Sequence, residues 1–381
     1  MRATKLFTSF FESEKASGII LLLCTVFSIL ITNTSIGETY SHFWHTQLGS
    51  FSLEHLINDG LMTIFFLMIG LELEREIYIG ELSNLRNAML PVMGALGGML
   101  LPALIYYFLN QGTLYQNGIG IPMATDIAFA IGILSLLGNR VPVVLKVFLT
   151  ALAVIDDLGA ILVIALFYSK DLHTTNLFIA LGIFVVLLAM NRLKVYKLWP
   201  YLLLGALMWW FMLHSGVHAT ITGVLLAFAI PFEKGEEQSI SYKLEHFLHK
   251  PVSFIILPIF ALANTAIAIN FKTLSNGLPT YAWGILLGLV VGKPLGITLF
   301  SWLAVKVRLA RLTHGLQWKS IFGAGILGGI GFTMSIFVTL LAFSDTEIIN
   351  NAKLYIIIAS VLAGLFGLLY LKSILKLKTE D

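Results

Sequence analysis

The chain has 381 residues, 57% of them hydrophobic and 12% charged; an average soluble domain carries about 25% charged residues. This excludes an ordinary water-soluble enzyme or binding module and predicts an all-α integral membrane protein, since the apolar runs are of helix rather than strand length. A formal charge of +3 gives no reason to expect a nucleic-acid partner, and the single cysteine, Cys24, excludes an internal disulfide and a multi-cysteine metal site.

Twelve apolar stretches follow one another, over 16–33, 57–74, 89–109, 119–138, 142–169, 176–191, 198–214, 216–231, 252–270, 281–304, 318–343 and 353–375. The first is read as a retained helix rather than a signal peptide: its leader carries Glu12 and Glu14, and no small-residue cleavage site follows it. When the gaps between stretches are placed alternately on two sides, twenty of the 24 basic residues fall on one side. Lys170, Lys272 and Lys353 fall on the other, and Lys293 is the only lysine well inside a span rather than at its edge. Excess positive charge marks the cytoplasmic side, so the split predicts an even number of spans with both termini cytoplasmic. The longest polar connections, 33–56 and 232–251, are too short to bury a core of their own, so residues 1–381 form one polytopic domain. Within the second, Leu244, Phe247 and Leu248 share a face and predict a short amphipathic surface helix over 242–249.

Ionisable residues near the spans are the candidate functional groups. Asp59 opens span two, where it marks either a mouth or simply a helix N-terminus. Glu72, Glu74, Arg75 and Glu76 stand where that span ends, with Glu81 just beyond, and Glu245, His246 and His249 come from the 232–251 connection. Histidines beside carboxylates titrate near neutrality, which would suit a pH-dependent gate; a solvated charged rim is the plainer reading. Span four opens Gly120-Ile-Pro-Met-Ala-Thr-Asp126, placing Pro122, Thr125 and Asp126 inside an apolar run. A carboxylate there would stabilise the N-termini of two half-helices, or bind an ion indirectly.

Asp156 and Asp157 lie side by side in a run with no other ionisable group between Val147 and Tyr168. A charged residue at the bilayer centre costs roughly 2.5–3.5 kcal/mol on insertion scales, so a tandem pair points to use rather than accident. Neighbouring helical positions are about 100° apart, which lets one carboxylate face a cavity while the other reaches a flank. Such a pair titrates as a unit, and protons and a cation can contend for its oxygens. His218, in Gly216-Val-His-Ala-Thr220, reads as a hydrogen-bonding residue of the bundle. Lys293, too central to snorkel, would pair with the aspartates or offset the negative ends of broken helices. Span eleven holds Gly323, Gly325, Gly328, Gly329 and Gly331, which read equally as a second interruption or as tight helix packing. Two interrupted spans, one in each half, point to a binding site at the bilayer midplane.

Ala124-Thr-Asp-Ile-Ala-Phe-Ala130, Ala153-Val-Ile-Asp-Asp-Leu-Gly-Ala160, Gly216-Val-His-Ala-Thr220, Gly292-Lys-Pro-Leu-Gly296 and Gly329-Ile-Gly-Phe-Thr-Met-Ser335 together resemble, in order and spacing, the motifs of the NhaA family of bacterial sodium/proton antiporters. The family is a known example of inverted repeats and broken helices. The resemblance implies twelve helices with crossed, broken spans four and eleven, and exchange of Na+ or Li+ for H+ without a cofactor; a tandem carboxylate pair with Lys293 can release more than one proton per cation, which predicts electrogenic exchange. It implies residence in the bacterial inner membrane, with the lipid bilayer as surroundings. Ion and proton binding would fall to Asp156 and Asp157, helix-end compensation to Thr125, Asp126 and Lys293, and pH response to Glu72, Arg75, Glu76, Glu245, His246 and His249. A homodimer joined through a β-hairpin between the first two spans is also implied, although the connection Asn33–Leu56 is short for one. Glu74 stands where relatives often carry a lysine, and Ala263-Asn-Thr-Ala266 departs from the usual Asn-Ala-Gly pattern. An intramembrane aspartyl protease would need two facing carboxylates, which neighbours on one helix cannot supply; Asp126 with Asp157 could, but the Gly-x-Gly-Asp pattern is missing. A retinal-linked pump is disfavoured by twelve spans and by the proline after Lys293, and a plain channel is distinguished from an exchanger only by coupling.

Overall fold

Backbone in hydrocarbon must hydrogen-bond to itself, and a helix does so within one segment. A computed structural model of the chain, describing residues 14–169, 172–232, 239–269 and 277–375, is helical almost throughout. In chain order the helices are α1 (Glu14–Thr32), α2 (Gly37–Trp44), α3 (Leu53–Tyr78), α4 (Leu85–Asn110), α5 (Ile127–Ser135), α6 (Val143–Phe167) and α7 (Thr174–Arg192). There follow α8 (Leu198–Leu213), α9 (Ile221–Ala229), α10 (Ile240–Asn264), α11 (Thr280–Lys306), α12 (Trp318–Gly328), α13 (Phe332–Ala342) and α14 (Thr346–Ile374). Among the described residues, eight helices are long and apolar enough to cross a bilayer, or nine if the bent pair α12–α13 is one span. The chain is thus a multi-pass membrane protein. Of the other predicted spans, α1 and α8 are shorter apolar helices, and α9 has nine residues.

The chain packs as two compact units, one of residues 1–38, 84–160 and 264–381, the other of 39–83 and 161–263. The first is built on α4 against α11. A Cβ on Gly97 would meet the carbonyl oxygen of Gly296, and one on Gly296 would meet that of Gly97, so the two backbones touch. In lipid, where apolar surface alone gives helices little reason to associate, such close approach supplies the packing. Two interruptions lie in the same unit. A 3₁₀ segment, Gln116–Met123, gives way to extended backbone at Ala124 and Asp126 before α5 begins. Gly329–Gly331 separate α12 from α13, whose axes bend by 48°.

α10 and α11 each widen into a π turn, Val252–Ile256 and Gly288–Gly292. Each turn ends two residues before a proline, Pro258 and Pro294. Proline offers no N–H and its ring presses on the carbonyl four residues back; widening the preceding turn makes room without ending the helix. A third π turn, Leu56–Leu61, opens α3 around Asp59.

In the second unit the connection before α3 forms a minimal antiparallel hairpin, β1 (Gln47–Leu48) with β2 (Phe51–Ser52), despite its length. Gly49 takes the first turn position at φ +69°, where a residue without Cβ is favoured. α9 packs on α3.

Two expectations are corrected. Residues 242–249 are not a separate surface helix but the first turns of α10: Ser239 caps Tyr242 N at 3.3 Å, Leu244 and Leu248 are buried, and Phe247 is exposed. Lys353 is not in a connection. Asp345 starts α14 by accepting from Glu347 N and Ile348 N, which puts Lys353 two turns inside, 4% exposed, with Nζ donating to Asn264 Oδ1 at 3.4 Å. Lys293 is therefore not the only lysine within a span. Lys170 and Lys272 lie outside the described residues, as does the side chain of Glu81.

The α4–α11 contact generates a stability test. Gly97→Val should lower stability by about 1–3 kcal/mol, the range for overpacking. Gly182→Ala, at a helical site where a Cβ meets nothing within 4 Å, should raise it by up to about 1 kcal/mol. Thermal unfolding of the purified chain in detergent reads both; equal shifts would show that the glycine contact carries no packing.

Candidate functional site

Ala124 to Asp126 are extended, so Thr125 and Asp126 project from a stretch whose own backbone makes no helical ladder. Asp126 satisfies several groups at once. Its Oδ1 accepts from Phe129 N at 3.1 Å, capping α5. Its Oδ2 accepts from Thr333 N at 3.1 Å and from Thr333 Oγ1 at 2.5 Å, at the start of α13. Its own N–H donates to the Ile330 carbonyl at 2.6 Å. One carboxylate therefore sits at the positive ends of two helices, where negative charge is favoured.

Thr125, next in chain, serves the opposite pole. Its hydroxyl lies 2.9 Å from the Gly328 carbonyl at the C-terminal end of α12 and 2.5 Å from Asp156 Oδ2, and accepts from Lys293 Nζ at 2.7 Å. A hydroxyl has one proton, so it donates to the carboxylate or to the carbonyl, not fully to both.

Lys293 Nζ also forms an ion pair with Asp156 Oδ2. Both side chains are 0% exposed. The other carboxylate oxygen of Asp156, Oδ1, is buried and receives no hydrogen bond among the described residues. Asp157 is 1% exposed and close enough to Lys293 to act on its charge. α6 thus brings both carboxylates into the first unit, and α11 brings the lysine immediately after its π turn. The arrangement is a neutral, fully buried ion pair with a hydroxyl bridge, a spare carboxylate oxygen and a second carboxylate beside it. Chemically it can exchange a proton, or an alkali cation, for the lysine's charge.

The remaining candidates are distributed elsewhere. Arg75 gathers Glu72 (3.9 Å), Glu76 (3.6 Å) and Glu245 (3.2 Å) in the second unit; the Glu245 contact lacks hydrogen-bond geometry. His246 instead turns back to the Tyr242 carbonyl at 3.2 Å and stacks on that ring, and His249 is exposed. Asp59 pairs with His55 at 3.3 Å, and its carbonyl accepts from Thr63 and Trp209. His218 Nε2 lies 3.0 Å from the Tyr168 carbonyl.

Sequence reasoning did not single out Thr333 or Ser335. Thr333 holds Asp126, and Ser335 Oγ donates to the Ile121 carbonyl at 2.7 Å. Both stand in the motif Phe332-Thr-Met-Ser335, so hydroxyls directly after a glycine break were the available signal. Among the described residues no group of three or more His, Cys, Asp or Glu could hold a metal ion.

Ionisable groups kept at membrane depth, beside interrupted helices, define a membrane protein of the class that handles ions or protons. The chain belongs to the Na+/H+ antiporter 1 family, whose model matches residues 8–371. It is 63% identical over 376 residues to the Na(+)/H(+) antiporter NhaA of Flavobacterium psychrophilum, covering 99% of this chain and 98% of that one. It is 60% identical over 376 residues to the Na(+)/H(+) antiporter NhaA of Cytophaga hutchinsonii, covering 99% and 97%. In fold it is similar to the sodium proton antiporter MjNhaP1 from Methanocaldococcus jannaschii, with TM-score 0.55 and 15% identity over 94% of this chain and 92% of that one.

The buried pair sets up a thermodynamic cycle. Lys293→Ala strands a buried carboxylate and should destabilise the protein by about 3–5 kcal/mol. Adding Asp156→Asn should recover a large part of that loss, because no uncompensated charge then remains. Thermal unfolding of both variants checks this; additive losses would show that the two residues do not act as a pair.

Proposed function

We propose that this chain is a secondary antiporter that expels Na+, or Li+, in exchange for protons, with the tandem carboxylates as the shared binding site. The observation that carries the reading is the fully buried Lys293–Asp156 pair with Thr125 and Asp157 beside it, in a chain of this family. Two of the chain's relatives are named Na(+)/H(+) antiporters.

In the cation-free state Asp157 holds a proton and Asp156 is held by Lys293. An arriving cation competes for the carboxylate oxygens. It displaces the Asp157 proton and takes the place of the ammonium at Asp156, while the Thr125 hydroxyl turns its proton to the Gly328 carbonyl. Protons rebinding on the other side reverse these steps. Exchange requires that the empty, charged intermediate not change its facing, so the cation shifts the equilibrium only through different affinities in the two states. Since Asp157 and Lys293 can together release more than one proton per cation, exchange is electrogenic.

The finer architecture belongs to the same proposal. Twelve spans in a single polytopic domain, arranged as inverted repeats with spans four and eleven broken and crossing, keep the basic residues on one side. Both termini are then cytoplasmic, in a bacterial inner membrane. Asp126 compensates helix N-termini, and Thr125 and Lys293 the opposite ends. The Arg75 cluster with Glu72, Glu76 and Glu245, and the nearby His246 and His249, tune activity to pH. Two copies pair through the β1–β2 hairpin. No cofactor is needed. The peptidase alternative loses ground because both oxygens of Asp126 are already taken up by Phe129 N and Thr333.

The test uses everted vesicles holding an acid interior reported by a quenched dye. Sodium, lithium and potassium are added in turn across a range of pH. Rapid dequenching with sodium and lithium but not potassium, abolished by Asp157→Asn, is the expected result. No dequenching at any pH, with folded protein present in the vesicles, would overturn the antiporter reading.

A further inference from the structure

One buried acid stands apart from the ion-binding cluster and from the Arg75 cluster. Glu74 is 5% exposed, and its Oε2 receives no hydrogen bond among the described residues. Its neighbour Arg75 is committed to Glu72, Glu76 and Glu245. A buried carboxylate without a donor is costly, so what surrounds it is informative. Glu74 lines a cleft of about 770 Å3 between the ends of α3, α7 and α9, inside the second unit. That volume is of the order that accommodates an organic ligand, far more than a bare alkali cation needs.

The lining is chemically selective. Tyr78 and Phe232 stack with ring centroids 5.2 Å apart, and Phe228 joins them on the wall. Aromatic faces attract an ammonium group, and a buried carboxylate accepts its protons. Arg192, the last residue of α7, lines the same cleft. No ion pair joins it to Glu74 among the described residues. The cleft thus offers a site for a cation and a separate site for an anion. The cleft opens onto the exposed apolar face of α7: Val185, Val186 and Leu188 are exposed there, and Leu188 lies on the cleft wall.

We propose that this cleft binds the headgroup of an aminophospholipid, with the primary ammonium on Glu74 beside the aromatic wall and the phosphate on Arg192. A purely anionic headgroup would set its phosphate near Glu74 with no cation to offer it. A quaternary ammonium would keep the ring contacts but has no N–H to donate.

The experiment uses the full chain, purified in detergent and stripped of lipid, with dioleoyl phosphatidylethanolamine, phosphatidylglycerol or phosphatidylcholine added back and binding followed by native mass spectrometry. The ethanolamine lipid should half-saturate at about tenfold lower concentration than either of the others, the scale of one charge-assisted hydrogen bond. Glu74→Gln should abolish that preference, and Arg192→Gln should weaken ethanolamine-lipid binding. Equal binding of ethanolamine and glycerol lipids by the wild type, or a preference that survives Glu74→Gln, would overturn the proposal. Should Glu74→Gln not yield folded protein, unchanged lipid binding by Arg192→Gln, altered at an exposed side chain, would overturn it instead. O-phosphoethanolamine is titrated in parallel; if it binds as tightly as the lipid, the occupant is a soluble amine phosphate and the lipid proposal fails.

Discussion

Charge removed from water has to be answered by opposite charge within hydrogen-bond reach. Lys293 and Asp156 are both shut off from solvent, and each ion carries a desolvation penalty of several kcal/mol that the other's field offsets only when the geometry is good. Much of the first unit can be understood as holding that geometry. α4 and α11 meet backbone to backbone at Gly97 and Gly296, one turn from Lys293. A Cβ on Gly98 would stand 3.7 Å from the lysine's own Cδ. The lysine's aliphatic stem is thereby confined between two helices, and its ammonium is left with Asp156 and Thr125 as partners.

The same constraint governs the backbone. An interrupted helix leaves N–H and C=O groups without intrahelical partners, and hydrocarbon offers none. Here each interruption satisfies the other. Asp126 takes N–H groups from α5 and α13 and gives its own to Ile330, Thr125 reaches the Gly328 carbonyl, and Ser335 reaches that of Ile121. Two adjacent residues thus answer opposite poles, a carboxylate at helix beginnings and a hydroxyl at a helix end. The hydroxyl is shared with the buried ion pair, so a change in the charge on Asp156 is felt directly at the Gly328 carbonyl.

What could be read in the sequence follows from how local each cause is. Asp156, Asp157 and Lys293 stand out because charge is rare in apolar runs, and both interruptions are signalled by Pro122 and by clustered glycines. Which groups meet is not local: Thr125 and Asp156 are 31 positions apart, Lys293 and Asp156 are 137, and Thr125 and Gly328 are 203. Lys353 heads the apolar stretch 353–375 and counts with the connection before it; Asp345 begins the helix earlier, and Asn264 receives the ammonium. The amphipathic face at Leu244 and Leu248 was correctly read as a helix, but nothing in its period shows that the helix continues through Pro251 into an apolar run. Asn264, the residue that Ala263-Asn-Thr-Ala266 shares with the Asn-Ala-Gly pattern, acquires a physical role only once Lys353 is beside it.

The π turns of α10 and α11 have a consequence for how these helices present their sides. A π turn accommodates one residue more than an α-turn, and one residue corresponds to about 100° of rotation. The stretch before Gly288 and the stretch after Gly292 therefore follow two different angular rulers. A projection of residues 281–304 onto a single helical wheel misplaces one half of α11 by that angle, and assigns Lys293 the wrong azimuth relative to Tyr281 and Ile285, which are both buried. Loss of one residue from the widened turn would rejoin the rulers but leave Pro294 pressing on a carbonyl with no room to yield. The extra residue and the proline are in this sense one structural unit, and changing either one strains the other.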